Sequence, residues 1–116
     1  MKIFVHTIGN VKYTIKVGTN AKENWTLIDN SYPEDLWFHL DEFASAHVVI
    51  SQDTNSLEEI FYPNQIIGLG ADYCKSNSKN GKNLYKVKIV YTEIKNLKKG
   101  KEVGSVYISK RNYITI

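Results

Sequence analysis

Hydrophobic and polar residues alternate cleanly in two stretches of this chain. Over residues 11–17, Val11, Tyr13, Ile15 and Val17 fall on one side and Lys12, Thr14 and Lys16 on the other. That two-residue period belongs to a half-buried strand. Residues 85–92 repeat it, with Val87, Ile89 and Tyr91 set against Lys86, Lys88 and Val90. Residues 2–8 read as a strand joined to the next by a tight turn at Gly9-Asn10. Residues 36–40 (LWFHL) and 46–50 (AHVVI) are short aromatic or β-branched runs and read as strands. Residues 103–108 and 112–116 read as two closing strands with a turn at Lys110-Arg111. Two segments follow a helical period instead. From about 20 to 29, Asn20 is the cap, Glu23 stands three residues later, and Ala21, Trp25 and Ile28 form the apolar face. From about 63 to 77, Pro63 occupies the first turn, Ile66, Gly70, Tyr73 and Asn77 share one side, and Ile67, Ala71 and Cys74 lie beside them. Gly68 and Gly70 weaken this helix intrinsically, and close packing against the sheet is the expected reason for both. A helical turn is expected at 57–61, a polar loop at 76–83 and a basic loop at 95–101. About seven short strands and two main helices, largely joined by short connections, predict an α+β fold with a largely antiparallel sheet. No linker or repeat divides 1–116, which is expected to form a single domain.

The centre of the chain changes the picture from fold to function. Pairing 36–40 with 46–50 as a hairpin, with His39 opposite His47, puts Trp37 opposite Val49 on one face and turns Leu36, Phe38 and Leu40 to the other. Two histidines and a tryptophan then share a surface. Two readings stay open: a working surface, or a packed sheet face in which each histidine is satisfied by one hydrogen bond. Asp35, His39 and His47 are also the residue types of a hydrolytic or metal site. A metal site, however, needs three or four converging ligands, and His6 stands far away in sequence. There is no H-x-x-x-H, Gly-rich phosphate loop, G-x-S-x-G or dinucleotide fingerprint. Cys74 reads as a small buried apolar residue, not a nucleophile. The expectation is a non-catalytic protein with no metal site and no cofactor.

Composition adds little until charge is followed along the chain. With 42% hydrophobic and 23% charged residues, the 116-residue chain is globular, and its one cysteine excludes an internal disulfide. No uncharged run approaches a membrane span, and MKIFVHTIGN lacks the length and cleavage site of a signal peptide. A soluble, cytoplasmic protein is expected. The net charge of +3 conceals a polarity: residues 1–78 hold five basic and ten acidic residues, whereas 79–116 hold ten basic and two acidic. Such a chain can turn one positive face to a polyanion; the alternative is that folding mixes the two halves. Lys75, Lys79, Lys82, Lys88, Lys95, Lys98 and Lys99 are the candidates for phosphate contact. Trp37, His39, His47 and Tyr91 are the candidates for stacking on unpaired bases. The KKGK segment is not a helical arm for a major groove, which favours RNA shape and backbone over duplex DNA as the ligand.

Several of these residues also form a recognisable series. Gly18 and Asn24 bound a G-x-x-x-x-x-N segment, and Asp35, Trp37, Phe38 and His39 give D-x-W-F-H. Ser45, Ala46, His47 and Val48 follow, then Gly70, Ala71, Tyr73 and Ser76 in the second helix, Ile89 to Thr92 in a strand, and Lys98, Lys99 and Gly104. In this series the whole chain resembles the NFACT-R domain, the RNA-binding module of ribosome-associated quality-control factors. It resembles more closely the N-terminal domain of the coiled-coil domain-containing protein 25 family. The resemblance implies an RNA ligand, tRNA or rRNA, with a ribosome or protein partner as a further expectation. It also implies that Asp35, Trp37, His39, His47 and Tyr91 organise an RNA-facing groove, in which Trp37 or His39 stacks or shapes the groove and Asp35 orients a histidine. DNA is the alternative ligand, since the coiled-coil relatives are associated with DNA recognition at a membrane. NFACT-R domains tend to carry Gly-Ser before His-Val, where this chain has Ala44-Ser45-Ala46. The sequence carries neither the coiled coil nor the other NFACT domains, so tailing and ribosome engagement do not transfer with the domain alone.

Overall fold

The computed structural model describes residues 1–53 and 59–116. In chain order the elements are β1 (Lys2–Ile8), β2 (Val11–Gly18), α1 (Ala21–Asp29), β3 (Leu36–Leu40), β4 (His47–Asp53), α2 (Asn64–Ser76), β5 (Lys88–Glu93), β6 (Leu97–Lys99), β7 (Val106–Ile108) and β8 (Asn112–Thr115). A single 3-10 turn, Ile94–Asn96, precedes β6. Six strands form one sheet in the order β1-β2-β4-β3-β5-β8, with every neighbouring pair antiparallel. β6 and β7 form a separate two-stranded ribbon. The fold is therefore α+β and antiparallel, with eight strands among the described residues.

The alternation read in the sequence decides which side of the sheet each residue faces. Tyr13, Ile15 and Val17 of β2, Leu36, Phe38 and Leu40 of β3, Val48 and Ile50 of β4 and Ile89 of β5 form one core with Ile66, Ala71 and Cys74 of α2. On the opposite side Trp37, Val49 and Val90 pack with Leu27 of α1, Ile94, and the inward residues Leu97, Val106 and Ile108 of the ribbon. Both sheet faces are thus covered, one by α2 and the other by α1 with the ribbon. The β3–β4 register pairs Trp37 with Val49 and Phe38 with Val48, as the hairpin reading requires, and its continuation brings His39 to His47.

Several expectations change. The basic loop at 95–101 is instead the 3-10 turn and strand β6. The two closing strands do not pair with each other: β7 joins β6, whereas β8 joins β5 in the main sheet. The strand expected at 85–92 begins at Lys88. Of the helical turn expected at 57–61, the first two residues lie outside the described residues. The rest is irregular chain, with the Phe61 amide donating to Gln52 Oε1. Helix α1 begins as read, with Asn20 Oδ1 accepting from the Glu23 amide at 2.9 Å. Its buried residues are Asn24 and Leu27, so the inward face is turned away from the Ala21-Trp25-Ile28 stripe.

The two helix glycines separate into different roles. A Cβ at Gly70 would stand 2.3 Å from the ring of Phe38, a side chain with no exposure and nowhere to retreat. A Cβ at Gly68 would meet nothing within 4 Å. Gly68→Ala is expected to raise stability by ~1 kcal/mol through helix propensity. Gly70→Ala is expected to lower it by ~1–3 kcal/mol because overpacking outweighs that gain. Urea unfolding of both variants checks the pair; equal and positive shifts would show that α2 does not press on Phe38.

Candidate nucleic-acid interface

The pleat of β3 and β4 turns Trp37, His39 and His47 to the α1 side of the sheet, where their rings cluster. Trp37 and His39 stack at 5.5 Å between centroids, Trp37 meets His47 edge-on at 5.2 Å, and the two imidazoles meet edge-on at 5.0 Å. Trp37 Nε1 donates to His47 Nδ1 at 3.0 Å. His47 Nδ1 is therefore a bare acceptor, and neutral His47 must carry its proton on Nε2. His39 Nδ1 meets the Leu40 carbonyl, which can only accept. Neutral His39 therefore carries its proton on Nδ1 and keeps Nε2 bare. The two rings have opposite tautomers, each fixed by its neighbour. Burial pushes the pKa of both below the ordinary histidine value, His47 to about 3 with a further push from His39. Both rings are neutral near pH 7.

These imidazoles line a cleft of about 750 Å³ at the N-terminal end of α1. Its other walls include Asn24 of α1, Ala44 and Ser45 of the β3–β4 loop, Asn77 to Asn80 after α2, and Gly104 and Ser105. Two polar ties hold the loop wall against the end of α2. Ser78 Oγ accepts from the Ala46 amide and donates to the Cys74 carbonyl, and Asn80 Nδ2 donates to the Ala44 carbonyl. Gly18 stands opposite His47 in the β2–β4 register, and a Cβ there would lie 2.3 Å from Asn24 Oδ1. Gly18 is bare so that Asn24 can reach inward, which explains the spacing of these two residues in physical terms. His39, Gly104 and Ser105 also line a neighbouring recess of about 320 Å³ that ends at Arg111. The surface is thus a groove passing over His39, with Lys79 at the rim of the cleft and Arg111 beyond it.

The other sequence-predicted residues are more scattered. Asp35 is buried away from the histidines and accepts from the Tyr32 amide at 2.9 Å. It braces the entry to β3 and orients neither imidazole. Tyr91 faces the α2 side of the sheet and stacks on Phe38 at 5.6 Å, so it shares no surface with Trp37. Trp37 has no exposure and His47 is 1% exposed, so neither presents a free face for stacking; of the cluster only His39 is half-open. Lys75 donates to the Tyr85 and Ile116 carbonyls and ties the C-terminus to α2. Lys95 pairs with Glu93, and Lys99 pairs with Asp29 while lying over the Trp25 ring. Lys88 lies over Tyr113 at 4.3 Å. Lys79 and Lys98 are exposed and make no ion pair among the described residues. Cys74 is buried, and burial pushes its thiol up to about 11, which leaves it inert. Sequence reasoning did not place Asn24, Ser45 or Ser78 at the site; the family series included Asn24 and Ser45 without giving either a role, and nothing signalled Ser78.

No described helix is long and apolar enough to cross a membrane. A family model described as the NFACT protein RNA binding domain matches residues 2–110. The chain is similar to coiled-coil domain-containing protein 25 of Mus musculus, at 34% identity over 113 residues, covering 95% of this chain and 53% of that protein. It is similar to the homolog of that protein in Dictyostelium discoideum, at 37% identity over 98 residues, covering 82% of this chain and 47% of the relative. The chain spans about half the length of the curated relatives it matches. The C-terminal part of the fibronectin/fibrinogen-binding protein from Streptococcus suis overlays with a TM-score of 0.77 at 22% identity, covering 90% of this chain and 41% of that one. That likeness is one of fold.

Proposed function

The chain belongs to the NFACT protein RNA-binding domain family, which makes it a non-catalytic module for nucleic acid or protein, and from that premise we propose that its ligand is RNA. Residues 1–116 act as one domain, and tRNA or ribosome-associated RNA in the cytoplasm, in the context of translation quality control, is the ligand class. The observation that carries this reading is the groove over His39, with mostly uncharged walls, one carboxylate at Asp41, and cations at Lys79 and Arg111. Uncharged walls suit bases and sugars, and the flanking cations suit phosphates. Lys98 extends the basic surface along the ribbon, beside the paired Lys95 and Lys99. The partner is recognised mainly through backbone and shape, with Trp37 shaping the groove from beneath and the edges of His39 and His47 at its floor.

Fluorescence anisotropy with labelled tRNA, single-stranded RNA and duplex DNA across a salt series tests this. Tight tRNA binding that falls steeply with salt is expected, weakened about threefold to tenfold by Lys79→Glu with Lys98→Glu. Binding no stronger than that of an unrelated protein of equal charge would remove the RNA reading. One observation favours a second reading. β1 is an edge strand of the main sheet, and Ile3 and Val5 project from it at 59% and 53% exposure, a ready template for strand addition by a protein partner. In that case nucleic-acid affinity is negligible and a stable complex forms through β1.

A further inference from the structure

We infer that the cleft at the N-terminal end of α1 receives the base of one unpaired nucleotide, whose hydrogen-bonding edge is read by the Nε2 atoms of His39 and His47. The inference rests on the RNA reading above and assigns it a site. Two polar groups in this cleft lack protein partners. His47 Nδ1 is taken by Trp37 and His39 Nδ1 by the Leu40 carbonyl, and among the described residues nothing bonds either Nε2. Asn24 is 6% exposed and walls the cleft beside them, with its Oδ1 packed against Gly18. An imidazole nitrogen left without a protein partner at the floor of a polar cleft points to a ligand that satisfies it.

The chemistry of the two imidazoles selects the ligand. The tautomers make His47 Nε2 a donor and His39 Nε2 an acceptor, on rings whose centroids lie 5.0 Å apart. Burial keeps both neutral, so the floor of the cleft offers a donor–acceptor pair and no charge. A phosphate would find no cation there, since Lys79 is the one cationic side chain lining the cleft among the described residues, and it is exposed. Each RNA base carries a donor next to an acceptor on its Watson–Crick edge. In a duplex that edge is already used, so only a looped-out or single-stranded nucleotide can enter. Lys79 is then placed for the phosphate of the inserted nucleotide, and about 750 Å³ accommodates a base and its ribose.

The test fills the cleft without touching its polar groups. Ala44 is an exposed wall residue, and Ala44→Trp places an indole in the opening. Wild-type protein is expected to bind an eight-nucleotide single-stranded RNA about tenfold more tightly than the same sequence as a duplex. Ala44→Trp is expected to abolish that preference, and its thermal unfolding reports whether the fold is intact. A second measurement needs no variant: nitrogen-15 imidazole spectra of wild-type protein during the RNA titration. The Nε2 resonances of His39 and His47 are expected to move and the two Nδ1 resonances to stay. Single-stranded RNA binding with equal affinity for wild type and Ala44→Trp, and unmoved Nε2 resonances, would overturn the inference while the RNA reading stands. No RNA binding by the wild type would overturn both.

Discussion

Acidifying the protein from about pH 7 to about pH 4.5 is expected to cost about 2–3 kcal/mol of folding stability, with His47 as the principal cause. The sign follows from the shift. His47 in the folded protein titrates at about 3, far below the ordinary value of 6.5, because burial disfavours the imidazolium and His39 adds repulsion. In the unfolded chain it takes a proton as the pH falls through about 6.5. Stability is therefore fully present above that value and is lost progressively as the pH falls toward 3, by at most ~1.4 kcal/mol per pH unit for one such group. His39 is shifted in the same direction by burial, opposed by the Leu40 carbonyl and by Asp41, so it adds a smaller loss within the same window. Asp35 works the other way. Burial raises its pKa, so the folded state takes up its proton first and gains stability as the pH falls through that raised value. Urea midpoints at about pH 7, 5.5 and 4.5 measure the effect. His47→Gln is expected to be less stable at pH 7 and much flatter with pH. A wild-type midpoint that does not move would mean that His47 protonates freely and is not enclosed between Trp37 and α1.

The hairpin register was legible because two independent alternations agree: Leu36, Phe38 and Leu40 against Trp37 and His39, and Val48 and Ile50 against His47 and Val49. Period-two patterning assigns residues to faces but does not say what covers each face. Trp37 and His47 were candidates for an exposed surface, yet α1 and the β6–β7 ribbon cover Trp37 on that side. The ribbon was hidden because LKK has only three residues, two of them lysines, and only Leu97 carries an apolar signal. The charge polarity of the sequence was real but partly spent within the fold. Lys99 finds Asp29 from the acidic half, and Lys95 finds Glu93 from its own. Asn24 was out of reach for another reason. A polar residue on the inward face of a helix contradicts amphipathic patterning and becomes intelligible only when Gly18 is seen to clear its space. The local rule fails at the cleft, where a functional residue is expected to break it.

Trp37→Phe is expected to lower stability by about 2–4 kcal/mol and, separately, to release the tautomer that sets the polarity of the cleft floor. Trp37 has no exposure, so the smaller ring leaves a void between β3 and the ribbon. It also removes the Nε1 donor and leaves His47 Nδ1 as a buried acceptor without a partner. A proton moved to Nδ1 would find no acceptor there either, so in Trp37→Phe no neighbour fixes the His47 tautomer and both forms are populated. The donor–acceptor pair at the cleft floor is then only partly kept. Nitrogen-15 imidazole shifts read the change directly: in wild type His47 Nε2 carries the proton, and in Trp37→Phe its signal is expected to move part of the way toward the bare-nitrogen range. A purely structural role for Trp37 would lower stability and leave the His47 tautomer unchanged. A change of tautomer with a parallel loss of single-stranded RNA preference would place Trp37 as the residue that sets the cleft's hydrogen-bonding polarity from beneath, without touching the ligand.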